Sequence, residues 1–362
     1  MSYKPAITSM SLGRAWLHEL PPKIAAARDF AGIEVFYEDL EYLARSLHDG
    51  LSDKAILEAA QEFRRLCDAQ DLEIIALQPF MHYEGLLDRD EHQRRIERLQ
   101  LWFRIAQILR TDTIQVPSNF LREGVTGDRE TIISDFQEIA DLGLKETPPI
   151  RFAYENLCWG TFINKWHQLW EIVAVVNRPN FGICLDTFHV AGGEWADPSS
   201  EDGRIKDSDA VLETSLAKMV TTIDPQRVFY VQLVDGERLD SPLKPGHPFW
   251  VDGQPARMSW SRNARVFAFE ERGYMPVMKV LKAFVDPPPH GLGYTGWISL
   301  ELFSRTMAES GDDIPIQHAQ RAWKSWNRVV EVMGWGKMKK SGSDYCVPTR
   351  SNENGDGICS YR

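Results

Sequence analysis

Short apolar runs alternate with longer amphipathic stretches along most of the chain. The runs are Ala6 to Met10, Gly32 to Tyr37, Glu73 to Gln78, Thr113 to Pro117, Arg151 to Glu155, Gly182 to Asp186, Val228 to Leu233 and Trp297 to Leu302. Each is almost continuously apolar, the pattern of a strand buried on both faces. Between them lie segments with helical spacing: Asp53 to Gln70, with Ile56, Leu57, Ala60, Phe63 and Cys67 on one face, then His92 to Leu109, Arg129 to Leu142, Asn164 to Asn177 and Asp209 to Thr222. Strands alternating with helices imply a parallel sheet. Eight such units favour a (β/α)8 barrel over an open sheet, although spacing alone leaves closure open. Long irregular stretches follow the sixth run (about residues 192–205) and the seventh (about 236–273). In a barrel such loops belong to the face that carries the active site. The pattern ends near residue 339. The Ser-, Gly-, Asn- and Lys-rich tail from Lys340 to Arg362 reads as a disordered appendage to one catalytic domain.

Composition narrows the class. The chain has 362 residues, 43% hydrophobic, and a formal net charge of −11. A duplex-binding protein carries a basic footprint, and this chain does not, so neither nucleic acid nor an anionic membrane is expected as a partner. Met1 to Gly13 lacks an export-signal pattern, and no apolar run reaches the ~18 residues of a spanning helix. Five scattered cysteines, Cys67, Cys158, Cys184, Cys346 and Cys359, form no C-x-x-C pair and read as free thiols. A cytoplasmic enzyme is the expectation, with homo-oligomerisation left open.

The chemistry sits where polar residues close apolar runs. Glu155 ends the fifth run, Asp186 the sixth, Gln232 lies near the end of the seventh and Glu301 near the end of the eighth. Four adjacent strands thus deliver three carboxylates and an amide at similar height. That donor set suits one divalent cation such as Mn²⁺, Mg²⁺ or Co²⁺, whereas zinc prefers nitrogen and sulfur. Glu34, within the second run, either orients such a group or pairs with a basic residue. Trp102, Trp166, Trp170, Trp323 and Trp326 fall at helical positions and read as core, leaving Trp250 and Trp260 to line a pocket. No phosphate-binding glycine loop occurs, so no nucleotide cofactor is expected.

Several segments resemble the fungal 3-dehydroshikimate dehydratases, a family within the sugar phosphate isomerase/epimerase-like (xylose isomerase-like) barrels. They are Ala6-Ile7-Thr8-Ser9-Met10-Ser11-Leu12-Gly13, Gly32-Ile33-Glu34-Val35-Phe36, Leu77-Gln78-Pro79-Phe80, Phe152-Ala153-Tyr154-Glu155-Asn156-Leu157, Cys184-Leu185-Asp186-Thr187-Phe188-His189, Val231-Gln232-Leu233-Val234-Asp235-Gly236-Glu237-Arg238, Pro255-Ala256-Arg257-Met258-Ser259-Trp260-Ser261-Arg262 and Ser299-Leu300-Glu301-Leu302-Phe303. The resemblance spans about residues 5–335. It implies a (β/α)8 TIM barrel that removes water from 3-dehydroshikimate, a cyclic hydroxy-keto acid, to give protocatechuate in quinate catabolism. It also implies metal ligation by Glu155, Asp186, Gln232 and Glu301. Glutamine at position 232 separates these dehydratases from epimerase relatives, which carry histidine there.

By the same resemblance, His189, Glu155 and Arg238 are the catalytic candidates. His189 suits acid/base work because an unperturbed imidazole titrates near neutrality. Arg238, Arg257, Arg262 and Arg265 are candidates for the substrate carboxylate, and His82 and Gln78 for further substrate contacts. Two departures stand out. Thr161-Phe162 follows Trp159-Gly160 where the family has a nearby histidine, and Met81 stands near a family arginine. Three other readings remain: a sugar isomerase or epimerase on the same metal site, a repair endonuclease, disfavoured by charge, and a barrel that has lost catalysis and serves as a binding protein.

Overall fold

In the computed structural model, which describes residues 3–48 and 50–336, eight parallel strands close into a barrel. They are β1 (Lys4–Thr8), β2 (Gly32–Phe36), β3 (Glu73–Gln78), β4 (Thr113–Pro117), β5 (Arg151–Glu155), β6 (Phe181–Asp186), β7 (Val228–Gln232) and β8 (Trp297–Leu300). Hydrogen bonding runs in sequence around the ring, and β1 closes it by pairing with β8, Lys4 opposite Trp297 and Ile7 opposite Leu300. The closure that spacing left open is therefore present. The tail from Lys340, with Cys346 and Cys359, lies outside the described residues.

The helices form where the amphipathic spacing put them, with ends adjusted by capping. Asp53–Ala69 starts behind Ser52, whose side chain accepts from the Ala55 N–H. Arg89–Leu109 begins three residues before the apolar periodicity because Asp88 caps it by accepting from the Asp90 and Glu91 N–H groups. Their apolar faces pack outside the barrel. Trp102, Trp166 and Trp326 are buried, while Trp170 and Trp323 are half-buried against the same core.

Four strand ends are shorter than the apolar runs, the one at β2 because Tyr37 opens the helix Tyr37–Leu47. Ser9–Leu12 is a 3-10 helix rather than part of β1, and Leu233 and Glu301 lie just past β7 and β8. The loop after β7 is also ordered. It carries the helix Ala256–Ala264, and its Asp235–Gly236 pairs antiparallel with Arg265–Val266.

Inside the barrel the side chains alternate with period two. A lower layer packs Ala6, Ile75, Ala76, Ala153, Cys184 and Tyr230. Two residues further along their strands stand Gln78, Glu155, Asp186 and Gln232, all buried. The strand pattern therefore puts polar groups one layer above an apolar plug, at the C-terminal mouth.

Candidate active site

Three buried carboxyls, Glu155, Asp186 and Glu301, surround one buried guanidinium, Arg265, and a fourth, Glu34, is bridged to Glu301 by the amides of Gln78 and Gln232. Arg265 Nη1 donates to Asp186 Oδ2 at 2.9 Å and to Glu301 Oε2 at 3.0 Å. Its Nε donates to Ser261 Oγ at 2.9 Å, and its guanidinium lies between the rings of Phe188 and Phe303. One cation cannot balance four carboxylates in a low-dielectric interior. Burial, with mutual repulsion, accordingly pushes the Glu155 carboxyl well above its ordinary range. Burial also raises Asp186 and Glu34, and holds Glu301 at about 8.

Glu34 proves to be an orienting group. It accepts from Gln78 Nε2 at 2.7 Å, from Gln232 Nε2 at 3.2 and 3.0 Å and from Thr8 Oγ1 at 3.1 Å. Glu301 Oε1 accepts from the same two amides, at 3.0 and 3.1 Å. With its NH₂ held, Gln232 is left with a buried carbonyl oxygen that has no partner among the described residues. Glu155 is similar. Gln115 Nε2 donates to its Oε2, while Oε1 is buried and unpartnered. Gln115, in mid-β4, was missed from sequence, although an amide inside an apolar strand is the same signal that marked Gln232.

These orphaned acceptors are what a cation would satisfy. Glu155, Asp186 and His189 bring ligand atoms within 4.8 Å of one another. Hard oxygen donors, excess negative charge and unpartnered acceptors on Glu155 and Gln232 all fit a divalent ion. His189 Nε2 lies 3.5 Å from Asp186 Oδ2 and 3.8 Å from Glu155 Oε1.

Both nitrogens of His189 face N–H donors, the Cys158 backbone on Nδ1 (3.2 Å) and Arg265 Nη2 on Nε2 (3.0 Å). A neutral imidazole accepts at only one nitrogen. A guanidinium can only donate, so the protonated nitrogen of the neutral ring faces one of these two donors without a hydrogen bond. Burial, then Arg265, keeps the His189 pKa well below its ordinary value, so the ring is neutral.

Above this floor opens a cleft of about 500 Å³, lined by Gln78, Gln115, Glu155, His189, Glu301, Arg262 and Arg265 among others. Not every sequence candidate lies there. Arg238 is exposed and outside the cleft, because the chain past β7 turns into the Asp235–Gly236 pairing and Arg238 N bonds Arg272 O. Arg257 holds the loop after β6, donating to the carbonyls of Gly192 and Ala196 at 2.7 and 2.8 Å. His82 does not itself line the cleft but packs behind a residue that does, Phe120, beside Asn119. Neither loop tryptophan lines the cleft. Trp260 is buried against Phe188, and Trp250 bonds Asp252. Trp16 and Trp159 line it instead, with Arg14, all from loops whose approach no residue spacing encodes, and with Glu38 and Arg305 from the first turns of the helices Tyr37–Leu47 and Arg305–Ala308.

The chain belongs to the xylose isomerase-like TIM barrel family, whose model matches residues 22–326. Within that class it is 47% identical over 343 residues to the 3-dehydroshikimate dehydratase of Neurospora crassa, covering 91% of this chain and 94% of that protein. The 3-dehydroshikimate dehydratase of Pseudomonas aeruginosa is 27% identical over 291 residues, covering 79% of this chain and 36% of that protein, so the chain spans about a third of its length. Among solved structures, the IOLI protein with a bound zinc atom superposes with a TM-score of 0.67 at 16% identity, over 92% of this chain and 100% of that one, a likeness of fold. Among the described residues no helix is long and apolar enough to cross a membrane.

Proposed function

We propose that the protein is a divalent-metal-dependent 3-dehydroshikimate dehydratase, converting its substrate to protocatechuate and water. The observation that carries this reading is the floor of orphaned acceptors, in a chain 47% identical to a curated dehydratase along almost its whole length. Glu155, Asp186, Gln232 and Glu301 would hold the ion. Oxygen donors favour Mn²⁺, Mg²⁺ or Co²⁺. When bound, the ion supplies Lewis acidity at the ring ketone.

The protein's own groups then do the proton work. A base in the cleft takes the proton α to the ketone and returns it to the departing β-hydroxyl, and His189, which lines the cleft and is not among those four ligands, is the candidate. Burial keeps the ring of His189 neutral, the form that can accept that proton. Glu34 holds the amides of Gln78 and Gln232 so that oxygen, not nitrogen, faces the metal position. Loss of one water leaves a ring that becomes aromatic by enolisation.

Incubation with 3-dehydroshikimate, and in parallel with keto-sugars, tests the reading. Protocatechuate and no interconverted sugar is the expected outcome. Sugar interconversion without protocatechuate contradicts it and favours the epimerase reading.

A further inference from the structure

The cleft holds several buried polar atoms without a partner among the described residues. On the floor the orphans are acceptors: Glu155 Oε1, Gln115 Oε1 and Gln232 Oε1. Higher up stand an orphaned donor, Arg14 Nε, and an orphaned acceptor, Glu38 Oε1. Four arginines line the cleft, and three are neutralised. Arg265 is held by Asp186 and Glu301, Arg305 by Glu237 at 2.7 Å, and Arg14 by Glu38 at 3.1 Å. Arg262 has no carboxylate partner among the described residues, and its guanidinium donates only to the amide oxygen of Gln254, at 3.0 Å. Arg262 and Arg14 both line this cleft, and burial, then the charge of Arg14, lowers the Arg262 pKa. Arg14 comes from the loop after β1 and Arg262 from the Ala256–Ala264 helix, so the pair spans two walls of one mouth. Arg14 is also braced, its guanidinium lying 4.2 Å over the Trp16 ring. On the loop after β3, Met81 adds an apolar group to the lining.

We propose that Arg262 and Arg14 form the subsite that binds the substrate's carboxylate, fixing which end of the ring enters towards the acidic floor. This rests on the dehydratase reading and deepens it. An anion between the two guanidiniums relieves their repulsion and engages the unused Arg14 Nε. A planar guanidinium with free donors can take a carboxylate through two parallel bonds. A ring whose ketone end must meet the floor cannot offer its carboxylate there, because four carboxyls already crowd it. Arg262 is a specificity determinant in this account, and Arg14 the second arm of the clamp.

The test is a ligand-against-residue comparison. Parent, Arg262→Met and Arg14→Met proteins are assayed with 3-dehydroshikimate and with its neutral methyl ester. Binding of protocatechuate and of catechol is followed through tryptophan fluorescence. A charge-assisted contact predicts that Arg262→Met raises KM for the acid by about 10- to 100-fold, with a smaller change in kcat. The ester and catechol should be handled as by the parent protein, so the preference for the acid collapses by the same factor. Arg262→Lys should recover part of it. An unchanged acid-to-ester preference in both Met variants overturns the subsite. A parent protein that turns over neither acid nor ester contradicts the dehydratase reading instead, and binding of protocatechuate over catechol then judges the subsite by itself.

Discussion

Replacing Glu34 by glutamine should weaken metal binding without weakening the fold. The carboxylate accepts from three side chains, Gln78, Gln232 and Thr8, and it uses both oxygens to do so. A glutamine there offers one acceptor oxygen and an NH₂ that faces other NH₂ groups. Gln232 is the group most exposed to that change. Its amide is free to turn over, which would point nitrogen where Oε1 now stands unpartnered. Loss of an orienting partner behind a metal ligand typically costs about 10- to 100-fold in affinity, or about 1.4–2.7 kcal/mol.

The fold should not suffer in proportion, because burial already disfavours the charge on Glu34. Calorimetric titration of Mn²⁺ into metal-stripped protein reads the first effect, and thermal melting of the same sample reads the second. Glu34→Asp separates charge from reach, since it keeps the charge but withdraws the oxygens by one methylene. If reach orients Gln232, both variants bind Mn²⁺ weakly. Binding as tight as the parent's in Glu34→Gln, with an intact melt, would refute the orienting role.

Other consequences follow from the buried charges. Arg265→Met leaves Asp186 and Glu301 without their cation, so the metal-free protein should lose about 3–5 kcal/mol in denaturant unfolding. Added Mn²⁺ should then stabilise the variant more than the parent, and equal stabilisation of both would count against Arg265 as a counter-charge. Asp39→Ala strands the buried Lys23 ammonium, which burial already pushes down, and a loss of about 3–5 kcal/mol is expected on the same assay. Burial raises Glu84 from 4.5 to about 7. A raised carboxyl gives stability that is fully present below the unfolded pKa and lost as pH rises through the folded one. Glu84 should therefore cost ~3 kcal/mol between pH 4.5 and 7. Glu84→Gln should flatten the parent's decline over that window, and superimposable stability–pH curves would contradict this.

The sequence legibility of this site follows the geometry of strands. Side chains on a buried strand must be apolar unless they have a task, so Glu155, Asp186, Gln232 and Glu301 could be picked out one by one. Period-two alternation then lifts Glu155, Asp186 and Gln232 above the lower layer of the barrel. Glu34 and Gln115 carry the same signal, but what an amide or carboxyl pairs with depends on neighbours across the ring. Loop residues carried no such signal. Arg238 lies six residues past Gln232, yet the Asp235–Gly236 pairing turns it to solvent. Arg265 lies 33 residues past Gln232 and is returned to the floor by the same pairing. Arg14 and Trp159 line the cleft because of how their loops fold over it, which local spacing does not encode.

The most direct test of the central claim is the growth of protocatechuate absorbance when 3-dehydroshikimate is added to metal-stripped protein, before and after Mn²⁺ or Mg²⁺. Metal-dependent product formation that disappears in Glu155→Gln is the predicted result. A protein that binds Mn²⁺ tightly yet forms no protocatechuate with either ion would contradict the account.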